Sequence, residues 1–193
     1  MLGSKAVAGV GVGGMFLWLS QGLVTLARMG GQVNAAQCCG RHQTKEAGLY
    51  ASAALKLTVL FGLLFGGVCV IFIHPLLSFF HLNDAQTYEA ARIYMVITCG
   101  LILFSYLNYT LTGLYTAQGD SKTPFKANLV GLVLNMILDP LLILGVGPFP
   151  RMEVSGAAIA TVSAQILVFL VLLFEMNRDR TGHNIFQNIA LLS

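Results

Sequence analysis

Charged residues are scarce in this sequence. Only 10% of the 193 residues are Asp, Glu, Lys or Arg, whereas 56% are hydrophobic. A soluble domain has about a quarter of its residues charged, so this composition argues against a water-soluble domain. The lysines and arginines, which leave a net charge of +3, lie between apolar segments and form no basic patch. The sequence therefore argues against nucleic-acid binding as well.

Patterns typical of metal sites, disulfides and enzymes are also lacking. Four cysteines are present, but Cys38 and Cys39 are adjacent, and Cys69 and Cys99 lie inside apolar stretches. Neither metal-ligand spacing nor a disulfide framework results. The glycines of residues 9–14 satisfy a dinucleotide-binding pattern, yet no strand precedes them. We therefore predict no cofactor and no enzymatic activity.

Five long apolar segments are present instead. Each has the roughly 17 to 25 residues that a helix needs to cross a hydrocarbon core. We place the spans at about 7–27, 57–73, 93–115, 127–147 and 154–174. Strands of alternating polarity are absent, and unpaired backbone groups are too costly in lipid for other structures. The predicted fold class is all-α, a polytopic membrane helix bundle with the lipid bilayer as a partner.

The loops predict an orientation for this bundle. Lys and Arg are richer in alternate loops, which contain Arg41 and Lys45, Lys122 and Lys126, and Arg178 and Arg180. By the positive-inside bias these loops are cytoplasmic. The amino terminus then lies outside the cytoplasm with no signal segment ahead of it. This arrangement predicts that a preceding helix is missing.

Asp139 is the one acidic residue deep within an apolar segment. A charged carboxylate at mid-membrane costs about 2.5–3.5 kcal/mol on insertion scales, so it normally faces a cavity, a partner or the bundle interior. Asn128 and Asn135 precede it at spacings that place all three on one helix face. Pro140 has no amide proton to donate, which predicts a kink and a freed backbone carbonyl at Met136.

Carboxylate, amide and carbonyl oxygens suit a proton or a small alkali cation, so sodium at Asp139 and Asn135 is one possibility. The alternative is that both residues only hydrogen-bond to neighbouring helices, an interaction worth about 0.6 kcal/mol on average. On the following span, Thr161 and Gln165 are four residues apart and could face the same polar stripe. Small polar residues on membrane helices also serve simply to allow close packing.

Three segments resemble a known family: residues 119–128 (GDSKTPFKAN), 134–143 (LNMILDPLLI) and 154–161 (VSGAAIAT). Together they are similar to the multidrug and toxic compound extrusion (MATE) family. Upstream, residues 3–11 resemble the loop that enters that family's second helix, and residues 27–40 resemble its cytoplasmic end. The resemblance covers essentially the whole chain.

This resemblance implies that residues 1–193 form a partial amino-terminal lobe, helices two to six of a twelve-helix transporter. The first helix and the second lobe would then be the missing partners. Members of the family are antiporters of the cell membrane, here the bacterial inner membrane, that export cationic or amphipathic compounds in exchange for protons or sodium. The small organic substrate is thus a further expected partner.

The resemblance also implies a coupling site. Asn135 and Asp139 match the family's Asn-x-x-x-Asp on the fifth helix, and Thr161 matches a partner on the sixth. Tyr94, near the start of the fourth helix, corresponds to a tyrosine of that site. The family's acidic residue on the first helix has no counterpart, which leaves the cation site incomplete.

Two other functions stay open. One is a flippase for lipid-linked oligosaccharides of the same superfamily, which basic residues inside the spans would favour. Only Arg28 and Lys56, near span ends, are of that kind. The other is an inactive fragment that packs with a partner and has a structural role alone.

Overall fold

The computed structural model describes residues 4–79, 85–145, 152–178 and 185–188. Within these residues the secondary structure is entirely helical, as the composition predicted, and ends in a short 3-10 helix at Ile185–Asn188. The α-helices in chain order are α1 Ser4–Gly40, α2 Thr44–Ile71, α3 Ile73–Ser78, α4 Ala85–Gly100, α5 Ile102–Ala117, α6 Lys122–Leu144 and α7 Glu153–Arg178.

Four of the described helices are long and apolar enough to cross a membrane: α1 from Val10 onward, α2, α6 and α7. The pair α4 and α5 passes the same test together, although the two helices meet at an angle of 49°. Counting that pair as one span gives five. The predicted all-α bundle of membrane helices is therefore confirmed.

The segment 93–115, predicted as one span, contains a break between α4 and α5. Leu101 leaves the helical conformation, with φ −110° and ψ 18°. It follows Gly100, and glycine weakens a helix by about 1 kcal/mol relative to alanine. Apolar residues continue on both sides of the break, so hydropathy alone gives no sign of it.

The helices extend beyond the predicted spans where polar residues allow it. Helix α1 continues to Gly40 and α2 begins at Thr44, because apolar residues mark only the part of a helix that lies in hydrocarbon. The connection between them is a tight turn in which His42 adopts φ 60°. Residues 146 and 147, at the predicted end of the fourth span, lie outside the described residues.

Large apolar side chains face outward over much of the surface. Trp18 is 83% exposed and Phe125 on α6 is 67% exposed. Small residues instead occupy the helix interfaces, as membrane bundles require for close packing. At Gly156 on α7, an added Cβ would lie 2.7 Å from the carbonyl carbon and oxygen of Leu142 on α6. The α6–α7 pair is thus packed backbone against backbone.

Candidate ion-coupling site

Asp139 lies on α6 one helical turn before its carboxyl end. The helix continues through Pro140 and ends at Leu144, followed by Gly145 in the left-handed conformation. The backbone amide of Met152 donates to the carbonyl of Leu142 at 3.0 Å, which fixes this end of α6 to the start of α7. Proline provides no amide proton for the Met136 carbonyl. The predicted carboxylate and freed carbonyl are therefore neighbours on one half-buried helix turn.

Tyr94 on α4 meets Thr161 on α7. Their side-chain hydroxyls face one another closely enough to interact, and Asp139 lies within electrostatic range of the Tyr94 phenol. Tyr94 is only 8% exposed and packs against Val154 and Ala158 of α7. Tyr94 and Thr161 therefore lie together, and Asp139 is in their vicinity on a third helix.

Asn135 lines a cavity of about 210 Å³ between α6 and α7. Thr161, Asn128 and Gln165 line the same cavity, which joins Asn135 to the other predicted residues through Thr161. Gly131 also borders it and allows the close approach of Val168. The polar stripe predicted on α6 therefore faces α7 from Asn128 to Asn135, and Asp139 follows one helical turn later.

The chemistry of this cluster is that of oxygen ligands. Asp139 has no hydrogen-bond or ion-pair partner among the described residues, while Thr161 donates its hydroxyl to the carbonyl of Ala157 at 2.9 Å. Across the described ranges, no group of three or more His, Cys, Asp or Glu side chains could hold a metal ion. The carboxylate of Asp139 and the amide oxygen of Asn135 fit a proton or a hard monovalent cation, with hydroxyl and carbonyl oxygens nearby.

A second cavity, the Arg28 cavity, has a volume of about 300 Å³ and adjoins the first. Its lining side chains are polar or aromatic: Arg28, Asn108, Tyr109, Thr112, Asn128 and Gln165. Asn128 and Gln165 line both cavities. One polar strip therefore extends from Arg28 to Asn135, which precedes Asp139 by about one helical turn.

Sequence reasoning did not predict two residues of this strip, Asn108 and Arg28, as part of a site. Asn108, to which sequence reasoning assigned no role, is 3% exposed and donates to the Gln165 backbone carbonyl and side-chain oxygen, both at 2.8 Å. A buried amide in an apolar helix is a signal in itself, because such a group needs a partner. Arg28 was assigned to a span end because the apolar run stops at Ala27, yet α1 continues twelve residues past it.

A MatE family model matches residues 1–141 of the chain. Two curated relatives are 30% identical: an FAD transporter from Shewanella oneidensis, over 83% of this chain and 35% of the relative, and a probable multidrug resistance protein NorM from Thermotoga maritima, over 92% and 39%. The chain thus spans less than half of the relatives' length.

A solved structure supports the same assignment at the level of fold. It is the inward-facing conformation of a multidrug resistance MATE family transporter of the MOP superfamily, with a TM-score of 0.81 and 22% identity. The match covers 97% of this chain and 41% of that one. Members of this family are multi-pass membrane transporters and not enzymes, in agreement with the sequence-based prediction. The family match, the relatives and the fold together confirm the resemblance, and the chain belongs to the MatE (MATE) family.

Proposed function

We propose that this chain forms part of the amino-terminal lobe of a MATE antiporter and contains its ion-coupling site. The observation that carries the proposal is the packing of Tyr94 against α7 beside Thr161, with Asp139 of α6 within electrostatic range. Asn135 joins them through the cavity that it shares with Thr161. The helices that complete the transporter, a first helix and a second lobe, are proposed as its partners.

Asp139 and Asn135 bind the coupling ion in this proposal. An ionised Asp139 has no fixed counter-charge among the described residues, so it attracts a proton or Na⁺. Protonation turns the carboxyl into a hydrogen-bond donor, whereas Na⁺ recruits the Asn135 oxygen as a further ligand. Either event changes the electrostatic interaction of Asp139 with Tyr94 and the packing of α6 against α7. Such a change can bias the rocking of two lobes that alternates access to the substrate.

The proposed activity is export of small amphipathic organic compounds, cationic ones among them, across the bacterial plasma membrane. The curated relative from Thermotoga maritima is named a probable multidrug resistance protein, which supports this class of substrate. The Shewanella oneidensis relative is named an FAD transporter, so substrates that bear phosphate are a second candidate class. The position of Arg28 in the polar strip favours that second class.

Exchange driven by an ion gradient tests the coupling site. The chain is expressed from its native gene locus, so that the proposed partner helices are produced with it, and is reconstituted into vesicles. This protein should export ethidium when a proton or Na⁺ gradient is imposed. Asp139→Asn should lower this driven export at least tenfold because the neutral amide cannot be protonated and binds Na⁺ weakly. Glu175→Gln is the matched control, since Glu175 lies near the end of α7 and pairs only with exposed Arg178.

Two results would count against the proposal. Undiminished export by Asp139→Asn would show that this carboxylate does not couple the ion. Absence of any driven export from the unaltered protein would favour a structural role, while transport of lipid-linked oligosaccharides in place of ethidium would favour the flippase alternative.

A further inference from the structure

Arg28 is a cation without a counter-ion in the middle of α1. The ion pairs formed among the described residues join Arg92 to Glu89 and Arg178 to Glu175, both on exposed helix surfaces. Arg28 instead places its guanidinium carbon 5.9 Å from the centre of the Tyr109 ring. A ring face attracts a cation only modestly. The positive charge therefore faces a polar cavity with no acidic side chain to balance it.

Unsatisfied polar atoms concentrate at the same place. In the described part of the chain, four buried side-chain nitrogen or oxygen atoms lack a hydrogen-bond partner. Three of them are Arg28 Nε, Gln32 Oε1 and Asn108 Oδ1. Arg28 and Gln32 both lie against Gly113, where a Cβ would be 2.9 Å from Arg28 Cγ and 3.1 Å from Gln32 Oε1. Buried polar groups are normally paired, so such a cluster indicates a place for a ligand or ordered water.

Arg28 is half-buried and lies well inside α1. It precedes the end of α1 by twelve residues, which is about 18 Å of helix. Gly113 on α5 leaves the space that its side chain occupies. Such residues inside a membrane bundle are costly and mark a path for substrate or ion.

We propose that the Arg28 cavity binds the acidic group, carboxylate or phosphate, of a transported compound. A guanidinium offers parallel N–H donors that match the oxygens of either group. Thr112 and Gln165 add polar side chains to the wall, and the volume of about 300 Å³ accommodates the acidic end of an amphipathic molecule. This inference extends the proposed function by naming a substrate class, and it relies on that function only for the transport step.

The neighbouring cavity gives the substrate a defined orientation. Asn128 and Gln165 line both cavities, so the acidic end at Arg28 leaves the rest of the molecule directed along the polar strip toward Asn135 and Thr161. The coupling ion at Asp139 then lies about one helical turn beyond the far end of the same strip. The acidic group of the substrate and the coupling ion therefore bind at separate positions along the same side of the bundle.

Three fluorescent probes that differ only in their charged group test this assignment. They are 2-naphthoate, 2-naphthyl phosphate and 2-naphthyl-trimethylammonium. The protein is expressed from its native gene locus and purified in detergent. Binding of each probe is then measured at equilibrium, without an ion gradient. Arg28→Gln should weaken binding of at least one anionic probe tenfold or more, and it should not weaken the cationic probe because a repulsive charge has been removed.

Two further variants separate charge from structure. Arg28→Lys keeps the charge but loses the planar fork, so its loss of anion affinity should be smaller than that of Arg28→Gln. Arg178→Gln removes an exposed arginine that pairs with Glu175 and should alter none of the three affinities. A response confined to the carboxylate or to the phosphate would support the site and identify its preferred group.

The proposal is overturned if Arg28→Gln binds both anionic probes as tightly as the unaltered protein. It is also overturned if Arg28→Gln and Arg28→Lys weaken all three probes equally, because Arg28 would then only support the fold. The experiment contains no ion gradient and leaves Asp139 unchanged. A failure of Asp139 as the coupling residue therefore leaves this result intact, and the reverse also holds.

Discussion

Replacement of Gly156 by alanine should force α6 and α7 apart beside the coupling site. The new Cβ would lie 2.7 Å from the carbonyl carbon and oxygen of Leu142, about 0.7 Å inside the range of ordinary contact. Both atoms are backbone, so no side-chain rotation can relieve the clash. Extra methyl groups in a packed interface cost about 1–3 kcal/mol, whereas alanine gains about 1 kcal/mol of helix propensity over glycine. We expect a net loss of up to about 2 kcal/mol in the free energy of unfolding, and a loss of about 1–3 kcal/mol relative to a control glycine that gains the same helix propensity without a clash.

Titration with a denaturing detergent, followed by circular dichroism, measures this loss. Gly67→Ala on α2 is the matched control, because nothing lies within 4 Å of its added Cβ. The control should be neutral or slightly stabilising. If Gly156→Ala proved as stable as Gly67→Ala, the close approach of α6 and α7 at Leu142 would be refuted, together with the site geometry that depends on it.

Two further predictions concern the amino-terminal end of α6 and the Tyr94 hydroxyl on α4. Asp120 caps α6 by accepting hydrogen bonds from the amides of Lys122 at 3.0 Å and Thr123 at 3.1 Å, so Asp120→Ala should cost about 0.5–2 kcal/mol of stability at neutral pH. Burial pushes the pKa of Asp120 upward, but these bonds and the Lys122 charge hold the pKa below its usual value. The stabilisation by Asp120 should therefore be complete above the ordinary carboxyl pKa and disappear as the pH falls through the lower pKa of the folded state. Denaturation of the unaltered protein and Asp120→Ala at several pH values measures this. An equal loss of stability in Asp120→Ala at every pH would contradict it. Tyr94→Phe removes the hydroxyl that faces Thr161 and should cost only about 0.6 kcal/mol of stability, yet it should shift the pH dependence of driven ethidium export. An unaltered pH profile would separate Tyr94 from the coupling site.

The apolar segments predicted the number and type of the membrane helices because hydrophobic length directly reflects the thickness of the bilayer. They could not predict the break at Leu101, where apolar residues continue on both sides. Nor could they place Arg28 inside a helix, since hydropathy falls after Ala27 while the backbone stays helical to Gly40. Hydropathy indicates whether a segment lies in lipid or in water. It does not indicate where the backbone hydrogen bonds of a helix end.

The candidate site was predictable in part from a single helix. The spacing of Asn135 and Asp139 placed them on one face of α6, because that requires only helical geometry. Tyr94 came from the family resemblance alone, whereas Thr161 was also suggested by its spacing to Gln165, and the packing of Tyr94 beside Thr161 joins α4 to α7. Such a contact depends on how three helices pack, which no local pattern contains. The same limit explains why Asn108 and Gln165, 57 residues apart, were not paired in advance.

Arg28 lies at one end of the polar strip and Asp139 about one helical turn beyond the other end, and the separation of these opposite charges limits how strongly they interact. Asn128, beside the Arg28 cavity, and Asp139 are eleven residues apart on α6, a distance of about 16 Å along the helix. Two unit charges at that distance interact by about 1 kcal/mol at an effective dielectric constant near 20. An acidic substrate at Arg28 could therefore change ion affinity at Asp139 by a factor of only about five through charge alone. Coupling stronger than this must come from movement of α6 against α7, so Gly156→Ala should weaken ion–substrate coupling more than added salt does.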